Sequence, residues 1–287
     1  MKKYKICKIL LVILAIFLCV AFYELLGICV AYKKQPEVSN TTKKETKNGS
    51  WNECSENTER AVIIEKNPEA LLQRVRLIKN AKKEIILSTF AFQSDESGKL
   101  ILGALHDAAD RGVHIRLLVD GMESWIDMEG NPYFYGLSSH ENVEIKLYNK
   151  ANPLKPWKMM GRMHDKYLIA DGKRYILGGR NTYNYFLGDF PGHKNYDRDV
   201  LVVCDEPEKE NSVNQLLEYF ETIWEQEDSG YFHDNKKLAN RKSVKNAVLE
   251  LQNCYQKYFE ENKERICDTD YTDETFETEK IALVSNP

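Results

Sequence analysis

The chain has 287 residues, of which 43% are hydrophobic and 29% charged, with a formal net charge of −4. That composition excludes a disordered tail and supplies enough apolar residues for a sizeable core. Residues 1–35 carry six Lys against one Glu, 36–204 carry 24 basic against 23 acidic residues, and 205–287 carry 10 against 20, so a uniformly basic nucleic-acid binder is disfavoured.

The N-terminus opens with Lys2, Lys3, Lys5 and Lys8, then runs from Ile9 to Tyr32 with Glu24 as its one charge. A helix needs about 20 apolar residues to cross a bilayer, so residues 1–34 read as an uncleaved membrane anchor. A secretory signal would have a shorter apolar stretch and a small-x-small cleavage site, which is not evident. Lysines flank both ends, Lys33 and Lys34 being followed by Lys43, Lys44 and Lys47, so orientation stays open. Residues 35–60 hold almost no aliphatic side chains and read as a flexible tether. The folded body is expected from Ala61.

Helical spacing begins at Pro68 and continues through Ala70, Leu71, Val75, Leu77 and Ile78. Residues 84–92 form a β-rich run, 98–111 a helix closed by Gly112, and 113–119 a second strand. Strand, helix and strand within so short a span make a βαβ unit, which predicts an α/β fold with a mixed, largely parallel sheet flanked by helices. A short helix at 132–139 and a strand at 143–148 follow. Residues 167–170 and 174–177 pair as a hairpin around Asp171-Gly172. A strand at 200–203 and a helix at 212–227 close a unit spanning 61–227. Residues 228–287 read as a helical linker, an acidic stretch and a terminal strand at 281–287 that starts a second half.

Of the seven cysteines, Cys7, Cys19 and Cys29 lie in or beside the apolar run, and Cys54, Cys204, Cys254 and Cys267 match no metal or redox spacing. They read as structural thiols, with a Cys254–Cys267 disulfide open if the body is extracellular.

The informative segment is Arg162-Met163-His164-Asp165-Lys166-Tyr167-Leu168-Ile169-Ala170-Asp171, followed by Gly178-Gly179-Arg180-Asn181. On an extended segment His164 and Lys166 face the same way, which sets an imidazole beside a fixed positive charge. Asp171 in the turn suits a brace better than a reactant. Gly178 and Gly179 allow close backbone approach, and Asn181 supplies an amide donor, so the set fits a phosphate. Residues 150–174 add a basic island of seven cations against Asp165 and Asp171. Trp157, Met159, Met160 and Met163 beside it suit lipid contact or loop packing. The other five histidines have no partners at ligand-like spacing.

The His-x-Lys-x4-Asp run with its Gly-Gly-x-Asn resembles the signature of the phospholipase D superfamily, which includes phospholipases, cardiolipin synthases and some nucleases. The likeness extends more loosely over 61–227. It implies a catalytic set of His164, Lys166, Asp171, Asn181 and Asp199, with Lys166, Asn181 and Gly179 on the substrate phosphate. His164 is the expected nucleophile, and Asp199, with Asp197 as a competitor, the expected orienting acid; a salt bridge of Asp199 to Arg198 or Arg180 is the alternative. No metal or other cofactor is called for, since lysines supply the positive charge. The family builds its centre from two such halves, and no second His-x-Lys occurs here. A second motif-bearing half is therefore expected from a homodimer mate or a longer chain. The implied activity is cleavage or transfer of phospholipid phosphodiesters at a membrane through a phosphohistidine. A nuclease, or a non-catalytic anionic-lipid-binding half, stands as the alternative, with nucleic acid disfavoured as a partner by the acidic balance and the anchor.

Overall fold

A computed structural model describes residues 2–33, 43–44, 59–204, 211–233, 235–278 and 281–283. Helix α1 (Lys2–Lys33) is followed by the body: β1 (Glu59–Ile64), α2 (Asn67–Asn80), β2 (Glu84–Thr89), α3 (Glu96–Asp110), β3 (His114–Asp120), α4 (Gly121–Asp127), α5 (Pro132–Ser138), β4 (Val143–Tyr148), β5 (Lys166–Ala170), β6 (Arg174–Gly178), β7 (Asp199–Cys204), α6 (Ser212–Trp224), β8 (Ser229–Tyr231), α7 (Lys242–Glu261), α8 (Lys263–Cys267) and β9 (Phe276–Thr278). The strands form one sheet in the order β8-β4-β3-β2-β5-β6-β7-β1-β9.

The α/β class with a mixed, helix-flanked sheet is as the sequence predicts; the share of parallel pairing is not. Only β2–β3 and β3–β4 are parallel, and the other six pairings among the described residues are antiparallel. The βαβ unit sets direction only where a helix crosses over. β5, β6 and β7 are sheet neighbours joined by a tight turn and a long loop without a crossover helix, and they pair antiparallel.

Period-two alternation distributes the strand side chains to two cores. Ile85, Leu87, Ile115, Leu117, Leu168 and Leu201 face α2, α3, α5, α7 and α8 on one side. Ile86, Leu118, Tyr167, Ile169, Tyr175 and Val202 face α6 on the other, through its Val213, Leu216, Phe220 and Trp224. Asp95 caps α3 by accepting from Gly98 N–H at 3.0 Å.

Residues 228–233 and 235–278 pack as part of this body, where a linker was expected. β8 and β9 extend the sheet at both edges, and α7 lies so close to α3 that a Cβ on Gly103 would strike the Leu251 carbonyl and Tyr255. A three-residue strand is too short to show alternation, which is why β8 and β9 escaped the pattern. The strand expected at 281–287 is absent from 281–283, where Ile281 and Leu283 instead pack against the α6 side of the sheet. Residues 284–287, like Cys54, lie outside the described set. Cys254 and Cys267 are free thiols.

Asp171 sits at the hairpin turn with φ 55°. Its carboxylate accepts from the backbone N–H groups of Lys82 (2.9 Å), Lys83 (2.7 Å) and Glu84 (3.1 Å), fixing the entry to β2. β5 separates it from Lys166 by about 17 Å of extended chain. Asp171 therefore braces the entry to β2, at the opposite end of β5 from His164 and Lys166. Asp171→Ala strands three donors and places a residue without a local acceptor in the left-handed region, so a loss of about 1–3 kcal/mol is expected. Thermal unfolding checks this, and the folded fraction should keep its activity.

Candidate active site

Because β5 runs antiparallel to β2 and β6, the C-terminal ends of β2, β3 and β6 meet the N-terminal ends of β5 and β7 at one edge of the sheet. The register pairs Thr89 with Lys166 and Gly178 with Asp199 there. Loops continue the edge: Phe90 and Ala91 after β2, His164 and Asp165 before β5, Arg180 and Asn181 after β6, and Asp197 before β7.

Phe90 is the platform of the site. The His164 ring meets it edge-on at 4.7 Å between centroids, and Lys166 Nζ and the Arg162 guanidinium lie 5.4 and 5.0 Å from its centre. His164 precedes β5 and is exposed, whereas Lys166 opens the strand and is buried. Lys166 Nζ donates to the His164 carbonyl at 2.6 Å, tying the ammonium to the loop that carries the imidazole. The ring of His164 has no hydrogen-bond partner among the described residues, so both nitrogens are available to substrate or a partner.

Partial burial and then the Lys166 charge push the His164 imidazole below its ordinary value. Burial likewise lowers Lys166, partly offset by Asp165 and Asp197. A lowered imidazole stays neutral, and hence nucleophilic, to more acidic pH than an ordinary histidine at about 6.5. Lys166→Met removes the repelling charge, so the His164 titration followed by NMR is expected to move to higher pH. A downward shift would contradict the coupling.

Asn181 Oδ1 accepts from Ala91 N–H at 3.1 Å, which fixes the amide and leaves Nδ2 without a hydrogen-bond partner among the described residues. The Ala91 carbonyl also accepts from Thr182 N–H, which ties the loops after β2 and β6 together.

The structure revises two expected roles. Asp199 is buried and does not reach His164. One carboxylate oxygen binds Arg74 at 2.8 Å and Arg180 at 3.3 Å, and the other has no hydrogen-bond partner among the described residues. Arg180 is held further by the Ile64 and Glu65 carbonyls and Asn67. This is a structural triad beneath the site. Gly179 donates its N–H to the Arg198 carbonyl at 3.4 Å. Its missing side chain has another use: a Cβ on Gly179 would overlap the Asp197 carboxylate, and one on Gly178 the Asp199 carboxylate.

Two further groups bear on the site, Asp197, expected only as a competitor of Asp199, and Asp120, which sequence reasoning missed. Asp197, half-buried over Gly179 and close enough to act on Lys166, is the acid that faces the site. Asp120, buried at the end of β3, caps α4 through Met122 and Glu123 N–H, binds Arg162 at 2.7 Å and accepts from Met163 N–H. An acidic residue ending a parallel strand before glycine was the available signal. The basic island also divides: Lys158 binds Asp228, Arg162 binds Asp120 and Glu123, and Lys173 and Arg174 lie at the opposite end of β5 and β6. Among the described residues no cluster of three or more His, Cys, Asp or Glu is arranged to hold a metal.

The arrangement is an imidazole held below its ordinary pKa, a buried lysine and a fixed amide donor at one sheet edge, which suits an anionic tetrahedral group. The family model of the cardiolipin synthase, phospholipase D-like domain matches residues 74–224, just over half of the chain. The chain belongs to the phospholipase D superfamily. Cardiolipin synthase C of Escherichia coli K12 is 29% identical over 171 residues, covering 55% of this chain and 34% of that protein. An uncharacterized protein of Helicobacter pylori J99 is 30% identical over 212 residues, covering 69% and 39%. The chain thus spans between a third and two fifths of the length of these relatives. Phosphatidylserine synthase of Haemophilus influenzae Rd KW20 shares the phospholipase D-like fold at a TM-score of 0.50 and 18% identity, covering 77% of this chain and 48% of that one.

Proposed function

We propose that this chain carries one motif-bearing half of a membrane-anchored phospholipase D-like enzyme that cleaves or transfers phospholipid phosphodiesters through a phosphohistidine on His164. The observation that supports the reading best is the convergence on Phe90 of an imidazole held neutral and a buried ammonium, with the Asn181 amide beside them. Lys166 and Asn181 hold the non-bridging oxygens and stabilise the charge that develops in the transition state. His164 attacks phosphorus. Asp197, and not Asp199, is the carboxylate placed to steady the site from the β7 side.

One imidazole cannot both attack and protonate the departing alcohol, because these events lie on opposite sides of an in-line displacement. A second half, from a second copy or a longer chain, supplies the other imidazole and later activates the accepting water or alcohol. α1 is the one helix among the described residues long and apolar enough to span a bilayer, and it keeps the site beside its substrate.

The test is conversion of phosphatidylglycerol in vesicles, with sedimentation measured on the same preparation. Activity that falls on dilution together with the fraction of dimer is expected if two copies share the site. A strictly monomeric preparation of this chain with full turnover overturns the two-histidine requirement, and faster cleavage of DNA than of lipid overturns the substrate class.

A further inference from the structure

The apolar helix does not leave the body as a free tether. Its last turns pack on the loop between β4 and β5: Tyr23 Oη donates to the Leu154 carbonyl at 2.8 Å, and Gly27 lies so close to Pro156 that a Cβ there would overlap the proline ring. Glu24, Gly27, Ile28 and Ala31, spaced as one helical face, are partly or fully buried, whereas Leu25, Leu26 and Val30 remain exposed. The loop that receives them presents Leu154 (77% exposed), Trp157 (46%) and Met160 (55%), with Lys155 exposed between the first two. The same loop leads through Arg162 into His164.

Length sets the depth of this contact. Ile9 to Tyr32 covers about 36 Å as a helix, more than the roughly 30 Å hydrocarbon core. Counted from Ile9, the core ends near Ile28, so the Gly27–Pro156 contact lies where acyl chains give way to headgroups, with Tyr23 about 7 Å deeper. An exposed tryptophan, leucine and methionine beside a lysine are the residue types that such a boundary favours.

We propose that residues 151–161 form a bilayer-contacting platform, seated in the headgroup layer of the membrane that holds α1 and fixed to that helix by the Gly27–Pro156 contact. The inference rests on the membrane-anchor reading of α1 and adds what the anchor alone does not supply, a set height and orientation for the His164 edge. A lipid in the same leaflet then reaches the site without leaving the membrane.

The test uses the full chain in phosphatidylcholine–phosphatidylglycerol proteoliposomes containing lipids brominated near the glycerol end of the acyl chain, with tryptophan emission as readout. Trp157→Phe is expected to remove a large part of the bromolipid quenching. Gly27→Leu, which prises the helix from Pro156 without entering the body, is expected to lower the quenching contributed by Trp157 and to raise its quenching by aqueous acrylamide. His164→Ala should leave both signals unchanged, so the optical result stands apart from whether the enzyme turns over lipid. If Trp157→Phe leaves bromolipid quenching intact and lowers acrylamide quenching, the loop is in water and the proposal fails. If Trp157 responds to neither quencher, protein covers the platform and the lipid occupant is wrong.

Discussion

His164→Ala is expected to reduce phosphodiester turnover by on the order of 10⁴-fold or more, because the variant has no atom with which to form the covalent intermediate. Lys166→Met should cost less, about 10²–10³-fold, the usual effect of removing one electrostatic contact to the transition state. The ordering carries the assignment. Lys166 is buried and tied to the His164 carbonyl, whereas the imidazole is exposed and unengaged among the described residues. The reverse ordering in single-turnover rates would make His164 a binding group and sink the nucleophile assignment. Circular dichroism should show both variants folded, since neither side chain holds the cores together.

Asp199→Asn is expected to lower stability by about 3–5 kcal/mol, because it leaves the buried guanidinium groups of Arg74 and Arg180 without their counter-charge. Asp197→Asn should leave denaturant midpoints nearly unchanged and reduce turnover by ~10²-fold through loss of the carboxylate that steadies Lys166 and the site. Paired urea titrations and rate measurements separate the two acids. A stable but inactive Asp199→Asn protein would return that residue to the catalytic set.

These two aspartates also show what could be read in the chain and what could not. Asp197 and Asp199 are two residues apart at the start of one strand, so period-two reasoning sends both to the same face and does not choose between them. The choice is made by Arg74 on α2, 125 residues away in sequence, which reaches Asp199. The placing of His164, Lys166 and Asn181 at adjacent strand ends was legible, because the hairpin of β5 and β6 brings the start of one strand beside the end of the other. Gly178 and Gly179 were flagged for the right property, the lack of a side chain, and the wrong beneficiary: the room is taken by two carboxylates. The parallel share of the sheet was overestimated because helices connect neighbouring strands only among β2, β3 and β4. α4 was hidden by Asp120-Gly121, which reads as a turn and serves as a helix cap.

The covalent role of His164 is tested most directly with a p-nitrophenyl phosphodiester, whose leaving group departs without needing a proton. With the second imidazole not required for the first step, the full chain should release a burst of nitrophenolate that approaches one equivalent per chain. Mass spectrometry of the quenched protein should then place a phosphohistidine on the peptide bearing His164. The adduct should be absent from His164→Ala and present in Asp171→Ala. Turnover without that adduct, or equal labelling of His164→Ala, would contradict a phosphohistidine on His164.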